Sequence, residues 1–228
     1  MHFHHVALDL DGTMVDTTAS QTVALNEVLS AYDRSPLPAQ KVRQIAVHGL
    51  RAMLREAFYL TGDTLTDHDL SIALDQLREG YNAHLLELTV AAPGLDRALR
   101  ELNEVGVACT VLSNKPQDTV MRLLDHVEAT EYIAYLVSGD MGYARKPDPG
   151  GLAELMRSTD TSLADTLMCG SMRIDMQTAR NAGVQCAACS PFVDPGEMLA
   201  LGADYMLHEL SQLVALCTGR KLSGRFFM

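Results

Sequence analysis

The sequence predicts an α/β fold: a three-layer sandwich with a central parallel sheet, interrupted early in the chain by an all-helical insert. Over residues 89–228, short and nearly continuous apolar segments alternate with helical patterns, as in strands that are buried on both faces of a parallel sheet. One further strand of this kind precedes residue 12, whereas residues 16–88 show only helical spacing. We therefore predict a core domain formed by residues 1–15 and 89–228 and a helical domain over residues 16–88.

The first strand and the insert follow from the spacing of apolar residues. "HHVALDL" is a short aliphatic run that ends in an acid, which suits a buried strand. A helix is predicted after it, and Pro36 and Pro38 end that helix. Residues 40–60 predict one or two helices around a break at Gly49, and Thr66 is expected to cap a long amphipathic helix after it.

The remaining elements alternate regularly from Pro93 onward. A helix is predicted up to Gly106, and a final helix follows the last strand. The strands between them are the apolar runs 107–113, 135–139, 165–170, 184–189 and 203–207, and the intervening helices are 116–127, 149–159 and 173–183. This order of elements predicts a parallel sheet that is covered on both faces.

Composition narrows the class of function. The chain has 228 residues, of which 47% are hydrophobic, and its formal net charge of −11 argues against a nucleic-acid partner. The N-terminus lacks a basic segment followed by a long apolar stretch, and no run of about 18 apolar residues occurs. We expect a soluble cytoplasmic protein, a monomer or homodimer, with no membrane partner.

The cysteines do not indicate a disulfide framework, because there are five of them in a chain of ordinary size. Cys186 and Cys189 form a C-x-x-C pair, which is a redox pair, half of a metal site, or two thiols on a buried strand. We favour the buried strand, since no second Cys/His pair has matching spacing.

Polar side chains follow four of the predicted strands at the point where each strand ends. Ligands of open parallel sheets bind outside the carboxyl ends of the strands, so these side chains are expected to converge on one edge of the sheet. They are Asp9 and Asp11 after the first strand, Ser113, Asn114 and Lys115 after the second, Lys146 in the loop after the third, and Ser171 and Asp175 after the fourth.

This set of side chains suits phosphoryl transfer. Asp9 can attack phosphorus as a carboxylate nucleophile and form an acyl phosphate. Asp11 lies on the same face of an extended chain, and it can protonate the leaving alkoxide and later deprotonate water. The Ser113 hydroxyl and the backbone N–H near Asn114 can hold phosphoryl oxygens, while Lys146 offsets developing negative charge. A Mg²⁺ ion, which takes oxygen ligands, would bridge Asp9 and the phosphate and neutralise the buried acids.

Four segments, "DLDGT", "LSNK", "KPDP" and "CGSMRIDMQTARNAG", resemble in order the four motifs of the haloacid dehalogenase superfamily. The resemblance spans nearly the whole chain, and it implies a Rossmann-like core with the insert as a helical cap. "DLDGTMVDT", "VLSNKPQ" and "RNAG" look most like the phosphoglycolate phosphatase branch. "VHGLRAMLREAF" in the insert is similar to N-acetylmuramate 6-phosphate phosphatases.

The resemblance also implies a role for each matching residue. Asp9 is then the nucleophile and a metal ligand, and Asp11 is the general acid/base, whose main-chain carbonyl binds the metal. Ser113 and Lys146 bind phosphate. The acid at position 11 favours a phosphatase over a dehalogenase, because dehalogenases of this superfamily lack it.

The fourth motif departs from the family pattern at Ser171. The pattern has Gly-Asp and a second Asp four residues later, whereas this chain has Gly-Ser and then Asp175. A neutral hydroxyl is a poorer Mg²⁺ ligand than a carboxylate. The predicted metal site therefore consists of Asp9, Asp11, Ser171 and Asp175, with either Asp175 shifted inward or a water held by Ser171.

Three cap residues, His48, Gly49 and Arg51, are candidates for substrate contact. A cap can close over a site and exclude water, with Gly49 allowing close approach and Arg51 contacting an anion. The alternative for these positions is a helix break followed by a solvated arginine.

The sequence thus predicts a Mg²⁺-dependent phosphomonoesterase of the phosphoglycolate phosphatase-like type, acting on a small phosphorylated metabolite through an aspartyl phosphate. Alternatives are a phosphatase for N-acetylmuramate 6-phosphate or another sugar phosphate, and a phosphomutase. Ser171 motivates a further alternative, a catalytically weak homologue that binds a phosphate ligand without turnover.

Overall fold

The computed structural model describes residues 2–46, 49–193 and 195–220. The chain divides into two compact units, one formed by Met1–Asp16 and Ala91–Met228 and the other by Thr17–Val90. The sequence placed these two boundaries after residues 15 and 88.

The larger unit contains a six-stranded parallel sheet flanked by helices, and the predicted α/β class is confirmed. The strand order is β5-β4-β1-β6-β7-β8, and β2 pairs with β3 in a separate two-stranded sheet. The strands are β1 (His5–Leu8), β2 (Val15–Asp16), β3 (Val90–Ala91), β4 (Ala108–Leu112), β5 (Ile133–Val137), β6 (Thr166–Gly170), β7 (Gln185–Cys189) and β8 (Tyr205–Leu207).

Helices of the larger unit connect these strands. They are α5 (Leu95–Glu104), α6 (Gln117–His126), α7 (Gly150–Ser158), α8 (Arg173–Ala182), α9 (Pro195–Leu199) and α10 (Gln212–Thr218). Short 3₁₀ turns at Thr130–Tyr132 and Leu163–Asp165 precede β5 and β6. None of the helices that the structure describes combines the length and apolar character needed to cross a membrane.

The central strand β1 sets the position of the polar strand ends. Its residues are all buried, as expected for a strand with a neighbour on each side and helices over both faces. Leu8 is level with Val111 of β4 and with Cys169 of β6. The residues that follow these three strands therefore emerge at the same edge of the sheet.

The smaller unit consists of the predicted helical insert. Its helices are α1 (Thr18–Ala31), α2 (Ala39–Ala46), α3 (Leu50–Thr61) and α4 (Asp67–His84), and α1 packs along α4. The helical pattern over residues 40–60 forms two helices, because Gly49 takes a positive φ of 88° directly before α3. Thr66 caps α4 as predicted, since its hydroxyl accepts a hydrogen bond from the Asp69 amide at 3.2 Å.

All five cysteines are buried free thiols, in agreement with the interpretation of Cys186 and Cys189 as part of a buried strand. The Cys186 thiol donates to Asp204 Oδ2 at 3.4 Å. Burial raises the pKa of the Cys186 thiol to about 11, so this side chain is protonated at neutral pH.

A buried histidine lies at the other end of the central strand, where β1 begins. His5 Nε2 is 2.7 Å from Thr110 Oγ1, and Nδ1 is 3.2 Å from the hydroxyls of both Thr161 and Thr166. Burial lowers the pKa of His5 to about 4 from its ordinary value of 6.5. The imidazole is therefore neutral at physiological pH and is held by hydroxyl groups.

We expect His5 to make the protein acid-sensitive between pH 6.5 and pH 4. In this interval the unfolded chain takes up a proton that the folded His5 does not bind, so stability is fully present above pH 6.5 and falls as the pH is lowered. The loss from this group is at most about 3 kcal/mol. Thermal denaturation at several pH values should show a steeper fall for the wild type than for His5→Gln. The exposed His4 supplies a control, and a pH dependence that is the same in wild type and His5→Gln would contradict the prediction.

Candidate active site

Asp9 lies at the centre of a buried group of charges directly after β1. Its backbone amide donates to the Cys169 carbonyl of β6 at 2.8 Å, which continues the sheet by one residue. Its side chain is almost fully buried, with Oδ1 at 2.6 Å from Lys146 Nζ. The Thr13 hydroxyl lies 3.5 Å from the other carboxylate oxygen, Oδ2. Because it follows a buried strand, this carboxylate is fixed in position and shielded from water.

Lys146 joins Asp9 to a second buried carboxylate. Its ammonium is 2.6 Å from Asp9 Oδ1 and 2.7 Å from Asp175 Oδ1, and its side chain is 4% exposed. The side chain of Asn114 fixes the backbone of Lys146: Asn114 Oδ1 accepts from the Lys146 amide at 2.9 Å, and Nδ2 donates to the Lys146 carbonyl at 3.3 Å. Asn114 thus supports the site by holding the loop that carries the lysine.

Asp175 lies in the first turn of α8 and is completely buried. Its Oδ2 accepts from the backbone amides of Ser171 at 3.1 Å and Met172 at 3.0 Å, so it also caps the helix. The approach to β6 is very close, because a Cβ on Gly170 would lie 2.4 Å from the Asp175 Cβ. Glycine at this position therefore gives the carboxylate room to face Lys146.

Ser171 connects the end of β6 to the loop after β1. Its hydroxyl donates to the Asp11 main-chain carbonyl at 3.2 Å. Gly12 lies directly against this hydroxyl: its φ is +79°, and a Cβ there would come within 2.6 Å of Ser171 Oγ. The two loops are consequently in direct contact through a hydrogen bond.

Lys115 supplies a second ammonium on the Asp11 side of the site. Its Nζ is 3.2 Å from Asp11 Oδ2, and both side chains are largely buried. The Lys115 amide donates to the hydroxyl of the buried Ser113 at 3.2 Å. The loop after β4 therefore contributes a hydroxyl and an ammonium to the same edge of the sheet.

Within this group of buried charges, the pKa of the Asp9 carboxyl is raised. Burial and the neighbouring Asp175 raise the pKa of Asp9 to about 7, although the Lys146 ammonium acts in the opposite direction. Burial also acts to lower the pKa of Lys146, but Asp175 and Asp9 outweigh it and hold that pKa above the ordinary value. Lys146 accordingly stays charged, and Asp9 is the carboxylate whose negative charge is costly unless a cation is bound.

The structure joins all the predicted core residues in one network of contacts. Ion pairs and hydrogen bonds link Asp9, Asp11, Ser113, Asn114, Lys146, Ser171 and Asp175, with Lys115 as a connecting residue. Sequence reasoning did not single out Thr13, although it follows Gly12 in the first motif, and it did not predict the contact between Lys115 and Asp11.

The three cap candidates belong to the helical unit. His48 lies outside the described residues, and Gly49 directly precedes α3. Arg51 is half-exposed in α3, with its guanidinium 3.8 Å from Asp67 of α4. Within its own unit, this arginine thus has an acidic neighbour.

The oxygen atoms around Asp9 limit which residues could hold a metal ion. Within the described part of the chain, no group of three or more His, Cys, Asp or Glu residues is arranged to hold a metal. Both Asp175 oxygens already accept hydrogen bonds from the protein. The Asp9 carboxylate, the Asp11 carbonyl and the Ser171 hydroxyl are less enclosed: Asp9 Oδ2 has one long contact with Thr13, at 3.5 Å, and the Asp11 carbonyl accepts one hydrogen bond from Ser171. Such a set fits Mg²⁺, which commonly takes one or two protein carboxylates together with phosphate and water.

Comparison with known proteins places this geometry in a family. The family model described as haloacid dehalogenase-like hydrolase matches residues 6–189. A relative from Pseudomonas aeruginosa named phosphoglycolate phosphatase 1 is 33% identical over 197 residues, covering 86% of this chain and 72% of the relative. A phosphoglycolate phosphatase from Caulobacter vibrioides is 29% identical over 212 residues, covering 93% of this chain and 90% of the relative. These relatives support a phosphatase.

Solved structures share the fold. A predicted phosphoglycolate phosphatase from Haemophilus somnus 129pt superposes with a TM-score of 0.86 at 17% identity, covering 95% of this chain and 98% of the other. A HAD-superfamily hydrolase of subfamily IA from Geobacter sulfurreducens has a TM-score of 0.73 at 19% identity, with coverage of 95% and 97%. The family-model match over residues 6–189, with the relative at 33% identity, shows that the chain belongs to the haloacid dehalogenase-like hydrolases.

Proposed function

We propose that this chain is a Mg²⁺-dependent phosphomonoesterase that hydrolyses a small phosphorylated metabolite through an aspartyl-phosphate intermediate. The main supporting observation is the pairing of Asp9 with Lys146 at the end of the central strand, with a second carboxylate, Asp175, behind the lysine. A buried nucleophile beside a fixed ammonium is suited to attack on a phosphoryl group whose charge the ammonium offsets.

Asp9 is the proposed nucleophile. Its carboxylate attacks phosphorus, the bond from phosphorus to the substrate oxygen breaks, and an acyl phosphate forms. Lys146 stays charged next to the reacting oxygens and stabilises the negative charge that they carry. Because Asp175 and the Asn114 side chain hold Lys146 from two directions, the ammonium needs no reorganisation during the reaction.

Asp11 is the proposed general acid and base. It gives a proton to the leaving alkoxide in the first step, and in the second step it takes a proton from the water that attacks the acyl phosphate. Lys115, at 3.2 Å from Asp11 Oδ2, orients this carboxylate. The hydroxyl of Ser113 and the backbone amides that follow it are the proposed donors to the phosphoryl oxygens.

A Mg²⁺ ion would be held by the Asp9 carboxylate, the Asp11 main-chain carbonyl and the phosphate, with the Ser171 hydroxyl as a further oxygen donor. When bound, it would supply positive charge that neutralises the phosphate and the Asp9 carboxylate.

The proposed substrate class follows from the relatives, which are named phosphoglycolate phosphatases. We infer that residues 17–90 act as a cap that selects the group attached to the phosphate, with His48, Gly49 and Arg51 as the candidate contacts. The cytoplasm is the proposed location of this protein, since its proposed substrates are small phosphorylated metabolites.

The test is phosphate release from a panel of phosphomonoesters with Mg²⁺ and with a chelator. The panel comprises 2-phosphoglycolate, N-acetylmuramate 6-phosphate, hexose phosphates and an aryl phosphate. We expect metal-dependent release, with 2-phosphoglycolate among the best substrates. Thermal stabilisation by these compounds without any release would instead favour the binding-only alternative, and transfer of phosphate within a hexose phosphate would favour a phosphomutase.

A further inference from the structure

The Ser171 hydroxyl occupies the place where the family pattern has a metal-binding acid, and it does something a carboxylate cannot do. It donates a hydrogen bond to the Asp11 main-chain carbonyl at 3.2 Å. A deprotonated carboxylate has no proton to donate, so an acid at this position would face the carbonyl oxygen with like partial charge. Such an arrangement needs a cation between the two oxygens.

The surrounding packing leaves little room for rearrangement. Ser171 is buried, and Gly12 lies so close that a Cβ there would come within 2.6 Å of the serine oxygen. The Ser171 amide is also fixed, because it donates to Asp175 Oδ2 at 3.1 Å. Both the backbone and the side chain of Ser171 are thus committed to joining the loops after β1 and β6.

The carboxylates around Ser171 are paired with ammonium groups of the protein. Lys146 pairs with Asp9 and Asp175, and Lys115 pairs with Asp11. Among these named groups three carboxylates face two ammonium groups. An acid at position 171 would add a further negative charge to the set.

We propose that the Ser171 hydroxyl links the loops after β1 and β6 directly, so that this link forms whether or not a metal ion is bound. Ser171 is a positioning residue in this arrangement, since it acts through the Asp11 backbone. The inference takes the metal ion and the phosphate ligand from the proposed function. The hydrogen bond that joins the two loops needs neither of them. The inference further implies that the free protein binds a divalent cation more weakly than a variant with an acid at this position.

Thermal denaturation with EDTA and with MgCl₂ tests the proposal. The Tm of the wild type should rise much less with MgCl₂ than that of Ser171→Asp. Ser171→Asp should be destabilised in EDTA and recover with MgCl₂, because the cation then bridges the new carboxylate and the Asp11 carbonyl. Ser171→Ala should lose about 2–4 °C in both solutions, since it lacks the hydroxyl and gains no metal ligand.

A matched control distinguishes the specific effect of an acid at position 171 from the general effect of replacing a buried serine by an acid. Ser190 follows β7, is as buried as Ser171 at 7% exposure, and accepts a hydrogen bond from the Phe192 amide at 3.2 Å. Ser190→Asp should not become dependent on Mg²⁺ for its stability. Binding of Mn²⁺ alone, measured by the electron paramagnetic resonance signal of the free ion, should be about tenfold tighter in Ser171→Asp than in the wild type.

Two results would overturn the inference. The first is a wild-type Tm that rises with MgCl₂ as much as that of Ser171→Asp, and the second is equal Mn²⁺ affinity in the two proteins. Failure of the proposed function is recognised separately. In that case no phosphomonoester is hydrolysed, while the pattern of Tm and Mn²⁺ binding stands as described.

Discussion

Asp9→Asn should abolish phosphate release from every substrate that the wild type hydrolyses. The amide cannot form an acyl phosphate, and no other carboxylate takes its position, because Asp11 pairs with Lys115 and Asp175 is enclosed by Lys146 and backbone amides. For a group that forms the covalent intermediate, we expect a loss on the order of 10⁴-fold or more in kcat. Steady-state phosphate release with saturating Mg²⁺ measures it.

The same variant should remain folded. Burial and Asp175 raise the pKa of Asp9 to about 7, so at pH 8 its charge costs stability, and the neutral Asn removes that cost. We expect a Tm at pH 8 in EDTA that is no lower than in the wild type. Asp160→Asn serves as the control, because Asp160 is exposed after α7 with a φ of 52° that asparagine tolerates. Residual activity within tenfold of the wild type would exclude Asp9 as the nucleophile.

Lys146→Met should have the largest effect on stability. The substitution leaves Asp9 and Asp175 buried without their ammonium partner, and breaking a buried ion pair from one side typically costs about 3–5 kcal/mol. For a chain of this size, that corresponds to a fall in Tm of about 6–20 °C. Phosphate release should also fall by about 10²-fold or more, because the charge that stabilises the phosphoryl oxygens is lost.

Two further variants make this prediction specific. Lys115→Met removes an ammonium that pairs with the more accessible Asp11. Its Tm should therefore fall by less than half as much as that of Lys146→Met. The double variant Asp9→Asn/Lys146→Met removes one of the stranded carboxylates and should recover part of the lost stability. If the two lysine variants were equally stable, the buried ammonium would not hold the site together.

Most of the helices and strands could be predicted from the sequence, because each is marked by a local pattern of residues. The strands β1, β4, β6 and β7 are apolar runs, and the break between α2 and α3 is marked by Gly49. β5 is the exception, since it begins at Ile133 and was predicted from residue 135, and its ladder with β4 carries a register irregularity at that end. The strands β2 and β3 are two residues long, which is too short for a sequence pattern. Their pairing depends on the fold bringing two distant segments together.

The sequence predicted which residues come together in the site, but it did not predict the individual hydrogen bonds between them. The strand-end rule identified Asp9, Ser113 and Ser171, since parallel strands end at one edge. That Ser171 donates to the Asp11 carbonyl, and that the Asn114 side chain holds the Lys146 backbone, depends on loop conformations. Such contacts arise between residues far apart in the sequence and leave no periodic signal.

The central place of β1 has a consequence for synthesis of the chain. β1 is synthesised well before its two neighbours in the sheet, which begin at Ala108 and Thr166. Until both have been made, an apolar strand with two open edges is exposed in the nascent chain, which is a template for pairing with other chains. Asp9 and Asp11 follow that strand closely, and charged residues next to an apolar strand act as gatekeepers against aggregation. The carboxylates proposed for catalysis would thus also protect the unfinished protein.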